Sequence, residues 1–288
     1  MLYILRHKLG ASTLKELSQL CPDVVILKHN KPFPTLQPTA LLRWGCTSPI
    51  PYTNLYVLNN KSNIKLISNK AFFRTRLQQN HPEITPKTWF HVEDSTITYP
   101  CILRPIKHSK GKHLWFCNNF NELKQARDEL YYIKFNYNYY ISKYIPKVKE
   151  YRVCFIQGRV AWVVEKIVED PSQIAWNSAQ GSKFINVRWK QWPIDIIEAC
   201  YKAYTLSNLW LGAVDVIVDK DGHPFVLEIN TAPLQTAPYD LLCTARCINY
   251  GINNNFDTIP LDNNYTKYGK YLHPALKNTQ PIPTHQPT

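Results

Sequence analysis

The sequence lacks the segments that would place the protein in a membrane or outside the cell. No apolar run approaches the ~20 residues that span a bilayer. The N-terminal stretch MLYILRHKLGAS contains a short apolar run without a small-residue cleavage site behind it. This pattern is typical of a first strand and not of a signal peptide. We therefore expect a cytoplasmic protein with no membrane partner.

Closely spaced cysteine pairs are also scarce. Of the eight cysteines only Cys243 and Cys247 lie close together, and no histidine accompanies them. Structural zinc sites generally need two such pairs or added histidines. We expect reduced, mostly buried thiols, with neither a metal site nor disulfides formed by the cysteines.

Acidic residues are in the minority, with 21 Asp and Glu against 34 Lys and Arg and a net charge of +13. This balance indicates an acidic partner, which could be nucleotide phosphates, an acidic peptide or nucleic acid. The basic residues are spread along the chain, so a solvated surface without a specific partner is an open alternative. No RNP, zinc-finger or helix-turn-helix pattern accompanies the charge.

The apolar pattern predicts a mixed α/β and α+β fold without internal repeats. Strands are expected at residues 2–5, 24–27 and 40–44 and a helix at 14–20, which together make a small α/β unit with a parallel sheet. Later segments read as follows: a helix at 69–79, short strands at 101–103, 113–116 and 139–144, a helix at 121–130, strands at 151–157 and 159–166 joined by a turn at Gly158, and a helix at 194–206.

Composition and pattern divide the chain into four segments. Residues 1–68 are expected to form an N-terminal α/β domain, 69–148 a central lid subdomain and 149–250 a C-terminal subdomain. Residues 251–288, rich in Asn, Pro and Thr, are expected to be a surface wrap or a disordered tail.

The most informative segment is LGAVDVIVDKDGHPFVLEINTAP, residues 211–233. Asp221–Gly222 is a signal for a two-residue type I′ turn between two apolar strands. That turn pairs Lys220 with His223 and places Asp215 directly opposite Glu228. Asn230 lies on the same face because strand side chains alternate.

Two opposed carboxylates repel one another unless a cation lies between them. Hard oxygen ligands of this kind suit Mg²⁺, or Mn²⁺, together with phosphate oxygens and waters. The predicted metal ligands are Asp215, Glu228 and Asn230. A hairpin whose polar residues only face solvent is the alternative.

These residues resemble a known family. Asp215 followed by Glu228-Ile229-Asn230 before a proline loop is similar to the metal-binding signature of ATP-grasp enzymes, such as D-alanine–D-alanine ligase and the ribosomal-protein glutamate ligase. The resemblance covers roughly residues 60–240. It implies the ATP-grasp fold with an N-terminal α/β domain, and ATP and Mg²⁺ as cofactors.

The resemblance also implies nucleotide-binding residues. Glu150-Tyr151-Arg152 resembles the E-x-R strand of the glutamate-ligase branch, with Glu150 on the ribose and Arg152 stabilising transferring phosphate. Residues 141–145 resemble the hinge strand that holds adenine, which implies contacts from Lys143 and Ile145. Ser142-Lys143 stands where the family usually has Glu.

Further phosphate contacts follow from the same likeness. Arg104 stands at the position of the family's phosphate-gripping lysine, the loop 108–112 resembles the one that closes over the phosphates, and Lys70 matches a further phosphate-contacting lysine. A third group implied to meet the γ-phosphate and the acyl phosphate is Lys166, Asn177 and Lys183.

The function implied is that of an ATP-dependent ligase, which activates a carboxylate as an acyl phosphate and joins it to an amine. This chemistry explains why no Ser-His-Asp or Cys-His nucleophile is evident. Two alternatives stay open: a kinase on the same scaffold acting on an anionic small molecule, and a non-catalytic basic protein that binds nucleic acid. The sequence does not identify the acid or the amine. The oligomeric state is open, although ligases of this group are often dimers.

Overall fold

The computed structural model describes residues 1–7, 11–106, 113–133, 138–170, 172–176, 181–233, 237–262 and 269–277. Three sheets with six helices make up this part of the chain. No helix among the described residues is long and apolar enough to cross a membrane.

The N-terminal sheet is parallel, as predicted, with the strand order β2-β1-β3-β4. Its elements are β1 (Leu2–Arg6), α1 (Ala11–Leu20), β2 (Val24–Lys28), β3 (Ala40–Trp44) and β4 (Tyr56–Leu58). All five residues of β1 and all five of β3 are buried. Burial on both faces explains why these strands are continuous apolar runs in the sequence.

Two helices follow where one was predicted. Helix α2 (Lys61–Ser68) directly precedes α3 (Lys70–Asn80). Each begins at an asparagine whose side chain accepts a backbone N–H, Asn60 for α2 and Asn69 for α3. Helix α2 has eight residues and buries only Ile64 and Ile67, so its helical periodicity in the sequence is weak.

The segment predicted as the lid consists of an antiparallel sheet with one covering helix. Its elements are β5 (Thr88–Trp89), β6 (Cys101–Pro105), β7 (Trp115–Cys117), α4 (Phe120–Tyr132) and β8 (Tyr139–Lys143), with the strand order β5-β8-β6-β7. The lid has a hydrophobic core of its own, to which α4 contributes Leu123, Ala126 and Leu130. The predicted segments 101–103, 121–130 and 139–144 fall on these elements.

The largest sheet is antiparallel throughout, with the strand order β11-β10-β9-β12-β13. Its strands and the two helices that cover it are β9 (Lys147–Ile156), β10 (Arg159–Ile167), β11 (Lys183–Asn186), α5 (Ile194–Ser207), β12 (Leu211–Asp219), β13 (Pro224–Asn230) and α6 (Pro238–Asn253). Helix α5 covers one face, where Tyr204 stacks on Phe155 at 4.6 Å between ring centroids. Helix α6 covers part of the other, where the Trp162 Nε1–H donates to Thr244 Oγ1 at 3.0 Å.

The described residues of the C-terminal segment wrap onto this sheet. The Val160 N–H donates to the Tyr271 carbonyl at 2.8 Å, and the His273 N–H donates to the Val160 carbonyl at 3.0 Å. Phe256 and Leu272 are buried in the main core. Residues 278–288 lie outside the described part of the chain.

Two contacts fasten the N-terminal sheet to the largest sheet. The Asn59 Oδ1 accepts the Trp210 and Leu211 N–H groups at 2.7 and 3.0 Å. Gly45, just after β3, has φ +62°, and a Cβ built there would lie 2.8 Å from Ala232 Cβ. The carboxyl edge of the parallel sheet therefore lies beside the loop that follows Asn230. The four predicted segment boundaries remain a proposal.

Candidate active site

The β12–β13 hairpin brings the two predicted carboxylates together. Asp215 pairs directly with Glu228, as expected, and Asn230 pairs with Ala213 two residues further along. Strand alternation therefore places Asp215, Glu228 and Asn230 on one face of the sheet.

The turn of this hairpin corrects the prediction. The expected two-residue turn with Lys220 facing His223 is wrong, since the Gly222 N–H donates to the Asp219 carbonyl and the Asp219 N–H donates to the His223 carbonyl, each at 3.1 Å. The loop is one residue longer because the Asp219 carboxylate accepts the Asp221 and His223 N–H groups at 3.0 and 2.8 Å. Gly222, at φ +86°, supplies the left-handed residue of this longer loop.

A β-bulge restores the register. Val216 pairs with Val226 and Asp215 pairs with Glu228, which leaves Leu227 without a partner on β12. The Leu227 carbonyl accepts the Arg74 Nε–H of α3 at 3.0 Å. Arg74 is 3% exposed, so this bond is shielded from water.

Two cationic side chains pair with the Asp215 carboxylate. Arg152 Nε and Nη2 donate to Asp215 Oδ1 and Oδ2 at 2.6 and 2.9 Å, and Lys166 Nζ donates to Oδ2 at 3.3 Å. Burial alone would raise the pKa of the Asp215 carboxyl, but the charges of Arg152 and Lys166 outweigh it and hold that pKa well below its usual range. Burial alone would lower the pKa values of Arg152 and Lys166. The charges of the nearby carboxylates outweigh burial and raise both pKa values.

Glu150 is shared between two lysines. Lys166 Nζ donates to its Oε1 at 2.5 Å and Lys147 Nζ donates to its Oε2. Glu150 and Lys166 are each 4% exposed, so this is a buried network of alternating charge. Burial lowers the pKa of Lys147, and Glu150 counters part of that effect.

Glu228 and Asn230 complete the predicted ligand set. Glu228 Oε2 accepts a hydrogen bond from Lys70 Nζ, the first residue of α3, at 2.5 Å. The Asn230 side chain has a buried Nδ2 without a hydrogen-bond partner in the described residues. Two opposed carboxylates and a side-chain amide on the same face are the hard oxygen donors that Mg²⁺ prefers, so the donor set fits that ion.

A cleft lies between the lid sheet and the largest sheet. Arg104, Lys143 and Lys147 bring positive charge to its lining. Its apolar lining includes Ile102, Ile145, Ile217 and Leu227. Apolar walls with a few cations suit a flat base attached to phosphates.

Two of the predicted residues are not placed in this cluster. Lys183 pairs with Ile167 while Phe184 pairs with Lys166, so Lys183 faces away from Lys166. Its side chain is 73% exposed and lies 3.8 Å from Glu169. Asn177 and the loop 108–112 lie outside the described residues.

Three residues that the sequence did not single out belong to the site. Lys147 neutralises Glu150, Arg74 holds the bulge, and Asp240, in the first turn of α6, lies near Arg152. Lys147 stands four residues before the predicted strand at 151–157, and simple alternation extended from that strand would place it on the face opposite Glu150; a register shift between β9 and β12 brings it to the Glu150 side instead. That alternation gave no signal for Lys147, since its contact with Glu150 depends on the fold.

Comparison with protein-family models and with curated protein sequences finds no match to this chain. Solved structures match over most of its length. The ATP-grasp ligase PsnB complexed with a minimal precursor aligns with a TM-score of 0.60 at 13% identity, over 86% of this chain and 98% of that one. D-alanine–D-alanine ligase from Bacillus anthracis aligns with a TM-score of 0.61 at 14% identity, over 88% and 97%.

A third match is the macrocyclase MdnC bound with the precursor peptide MdnA from Microcystis aeruginosa MRC, with a TM-score of 0.59 at 10% identity over 88% of this chain and 100% of that one. These likenesses establish the fold. The chain has the ATP-grasp fold, which confirms the fold predicted from the hairpin signature. Two of these three structures are named as ligases and the third as a macrocyclase.

Proposed function

We propose that the protein is an ATP-dependent carboxylate–amine ligase. The observation that carries the proposal is the pairing of Asp215 with Glu228, on the face of an ATP-grasp sheet that bears Arg152 and Lys166. Two carboxylates flanked by cations are suited to hold a metal nucleotide and to stabilise charge on a transferred phosphoryl group.

ATP would bind in the cleft between the lid and the largest sheet. The apolar side chains of Ile102, Ile217 and Leu227 would sandwich the adenine, and the strand end at Lys143 and Ile145 would contact its edge. Lys70 and Arg104 would contact the phosphates. Glu150, at the start of the E-x-R segment, would meet the ribose.

Asp215, Glu228 and Asn230 would hold Mg²⁺ or Mn²⁺. The bound ion would neutralise charge on the phosphate oxygens of the nucleotide. In the structure these carboxylates are paired with cations: Lys70 donates to Glu228 at 2.5 Å and Arg152 donates to Asp215 at 2.6 Å. Both cations would turn to phosphate oxygens when the nucleotide binds.

The reaction has two steps. A carboxylate oxygen attacks the γ-phosphorus and ADP leaves, and the amine nitrogen then attacks the acyl carbon and phosphate leaves, with the loss of one proton from nitrogen. Arg152 and Lys166 would stabilise the equatorial phosphoryl oxygens, and Asn177 would join them. Lys183 stays a prediction from resemblance, without support from its position. Closure of the lid would exclude water from the acyl phosphate.

Peptides belong among the acceptors to test. PsnB and MdnC are each seen with a precursor peptide, and the net charge of +13 on this chain favours an acidic one. The N-terminal sheet would contribute to the acceptor site, because Gly45 packs against Ala232 beside the predicted ligand Asn230.

The acyl phosphate can be tested with oxygen isotopes. Purified protein is supplied with MgATP and pools of acids, amines and acidic peptides, and ADP release identifies an active pair. When that acid carries ¹⁸O in its carboxylate, one labelled oxygen should appear in the released phosphate. Asp215→Asn should abolish ADP release, whereas Asp221→Asn, at the exposed tip of the same hairpin, should not.

Other outcomes point to the alternatives. A stable phosphoester without free phosphate would show a kinase. Salt-sensitive nucleic-acid binding without ADP release from any pool would favour the non-catalytic reading.

A further inference from the structure

Asp215 has two tasks that conflict. Both of its oxygens accept hydrogen bonds from Arg152, at 2.6 and 2.9 Å. As a proposed metal ligand, Asp215 must direct at least one oxygen to the ion. Arg152 then loses part of the carboxylate that holds it, while a buried guanidinium needs an anionic partner.

A second carboxylate lies on the other side of Arg152. Asn186, Val164, Arg152, Asp215 and Glu228 form one row across the five strands, from β11 to β13. The Asp240 carboxyl is within reach of the Asn186 side chain and close enough to Arg152 for its charge to be felt. Asp240 therefore lies over β10, on the side of Arg152 that faces away from Asp215.

Asp240 is buried and incompletely satisfied. The residue is 1% exposed, and its Oδ1 has no hydrogen-bond donor among the described residues. Burial raises the pKa of this carboxyl to about 7, although the Asn186 side chain, the Ala237 N–H and Arg152 act in the opposite direction. The other titratable groups that feel its charge are Cys154 of β9 and Tyr239 and Cys243 of α6.

Helix capping explains only part of this arrangement. The Ala237 N–H at the start of α6 bonds back to the Asp240 carboxyl, as an acidic residue in a first helical turn often allows. The same bond could be made at the surface, without burial of a carboxyl beside an arginine. A buried acid lacking a full set of donors is costly unless a cation joins it.

We propose that Asp240 is a positioning residue, which receives the Arg152 guanidinium when Asp215 turns to a metal ion. Arg152 then exchanges one carboxylate for another and presents its remaining N–H groups to the transferring phosphoryl group. Asp240 does not touch the substrate. This inference rests on the proposed function, since it requires a metal nucleotide at Asp215.

The test measures binding and does not need the unknown acid or amine. MgADP with aluminium fluoride imitates the transferring phosphoryl group, and MgADP alone does not. In Asp240→Asn the amide still accepts the Ala237 N–H, so MgADP affinity should stay within about twofold of wild type. The extra affinity from aluminium fluoride should fall by about tenfold to a hundredfold, the cost of misplacing a stabilising group by about 1 Å.

The pH dependence separates positioning from capping. Only the ionised carboxylate can hold Arg152, so wild type and Asp240→Asn should differ most near pH 8, and the difference should narrow toward pH 6, below the carboxyl pKa of about 7. Asp195→Asn, which removes an exposed acid from the first turn of α5, should match wild type at both pH values. If Asp240→Asn does not fold, Asp240→Ser, whose hydroxyl can also accept the Ala237 N–H, takes its place.

Two results would overturn the inference. Either the variant keeps the full aluminium fluoride effect, or its deficit is the same at pH 6 and pH 8, as expected of a structural cap. Wild-type protein that binds no MgADP at all would instead contradict the proposed function.

Discussion

Arg74 holds Leu227 out of register, and that single displaced residue is what brings Glu228 opposite Asp215. The turn of the hairpin is one residue longer than a type I′ turn, which by itself would set Leu227 opposite Asp215. The bulge offsets the added residue of the turn. It leaves the Leu227 carbonyl free of the ladder, and this carbonyl accepts a hydrogen bond from Arg74 Nε at 3.0 Å.

Arg74→Leu should therefore impair metal binding more than nucleotide binding. Loss of the 3.0 Å bond frees the bulge, and Glu228 no longer stays fixed opposite Asp215. We expect the Mg²⁺-dependent part of ATP affinity to fall by about tenfold, a loss of about 1.4 kcal/mol. Calorimetry with ATP in the presence of Mg²⁺ or of chelator measures both parts. Arg76→Leu, on the same helix, is the control, and an equal loss in both variants would refute the role given to Arg74.

Lys166→Met should destabilise the fold. Lys166 is 4% exposed and neutralises both Glu150 and Asp215, so its removal leaves buried negative charge uncompensated. Breaking a buried ion pair in this way costs about 3–5 kcal/mol of unfolding free energy. Urea denaturation measures it. Lys183→Met, with a side chain 73% exposed, should change stability by no more than about 0.5 kcal/mol. Similar values for the two variants would argue against a buried network.

Stability should fall in mild acid because of His273. This side chain is fully buried, and burial with the nearby charge of Arg159 lowers its pKa to about 3. Its Nδ1 accepts the Ala275 N–H at 3.2 Å and its Nε2 lies 3.3 Å from Gln157 Oε1, so the folded state holds the neutral ring. The unfolded chain binds a proton at about pH 6.5, and the folded chain does not until about pH 3.

The contribution of His273 is therefore complete above about pH 6.5 and is lost toward pH 3, at up to ~1.4 kcal/mol per pH unit. His273→Asn should flatten the decline in unfolding free energy between pH 7 and pH 5 by about 2 kcal/mol. Urea titrations at the two pH values measure this slope. His223→Asn changes a side chain that is 70% exposed and should leave the slope unaltered. A wild-type slope that survives in His273→Asn would show another group to be responsible.

Gly45→Ala should disturb the loop beside Asn230. At φ +62° any side chain is strained, and the added Cβ would lie 2.8 Å from Ala232 Cβ. Gly222→Ala meets backbone strain without a neighbour within 4 Å, at φ +86°. We expect Gly222→Ala to cost about 1–2 kcal/mol and Gly45→Ala to cost more, as measured by thermal unfolding. Equal costs would mean that the contact with Ala232 relaxes freely.

The sequence was sufficient for the two strands of the hairpin, because their signals are local. Strand alternation in FVLEIN places Glu228 and Asn230 on one face, and alternation in VDVIVD places Asp215 on the opposite face from its two valine neighbours. Their common face across the hairpin also requires the bulge at Leu227. The E-x-R segment likewise places Glu150 and Arg152 on one face of β9, and the register of β9 with β12 brings Arg152 opposite Asp215. The strands β1 and β3 could also be predicted, because burial of both faces makes each of them a continuous apolar run.

The rest depended on contacts between distant residues. The longer turn follows from the Asp219 carboxylate, and the bulge follows from Arg74, which lies more than a hundred residues earlier in the chain. Lys183 belongs to a four-residue edge strand, in which a shift of one residue exchanges the two faces. Asp240 was missed because an acid in a first helical turn is ordinary, and only its burial beside Arg152 distinguishes it.

The most direct test of the account measures melting temperature with nucleotide and metal. Wild-type protein at about 100 times the Kd of MgATP should gain ~2.7 kcal/mol of stability, and part of that gain should disappear when Mg²⁺ is chelated. Glu228→Gln should lose the Mg²⁺-dependent part, whereas Glu165→Gln, on the opposite face of the same sheet with its partner Lys149 3.5 Å away, should keep it. A wild-type protein that no nucleotide stabilises, or a Glu228→Gln variant that keeps the full Mg²⁺-dependent gain, would contradict the assignment of this site to metal-bound ATP.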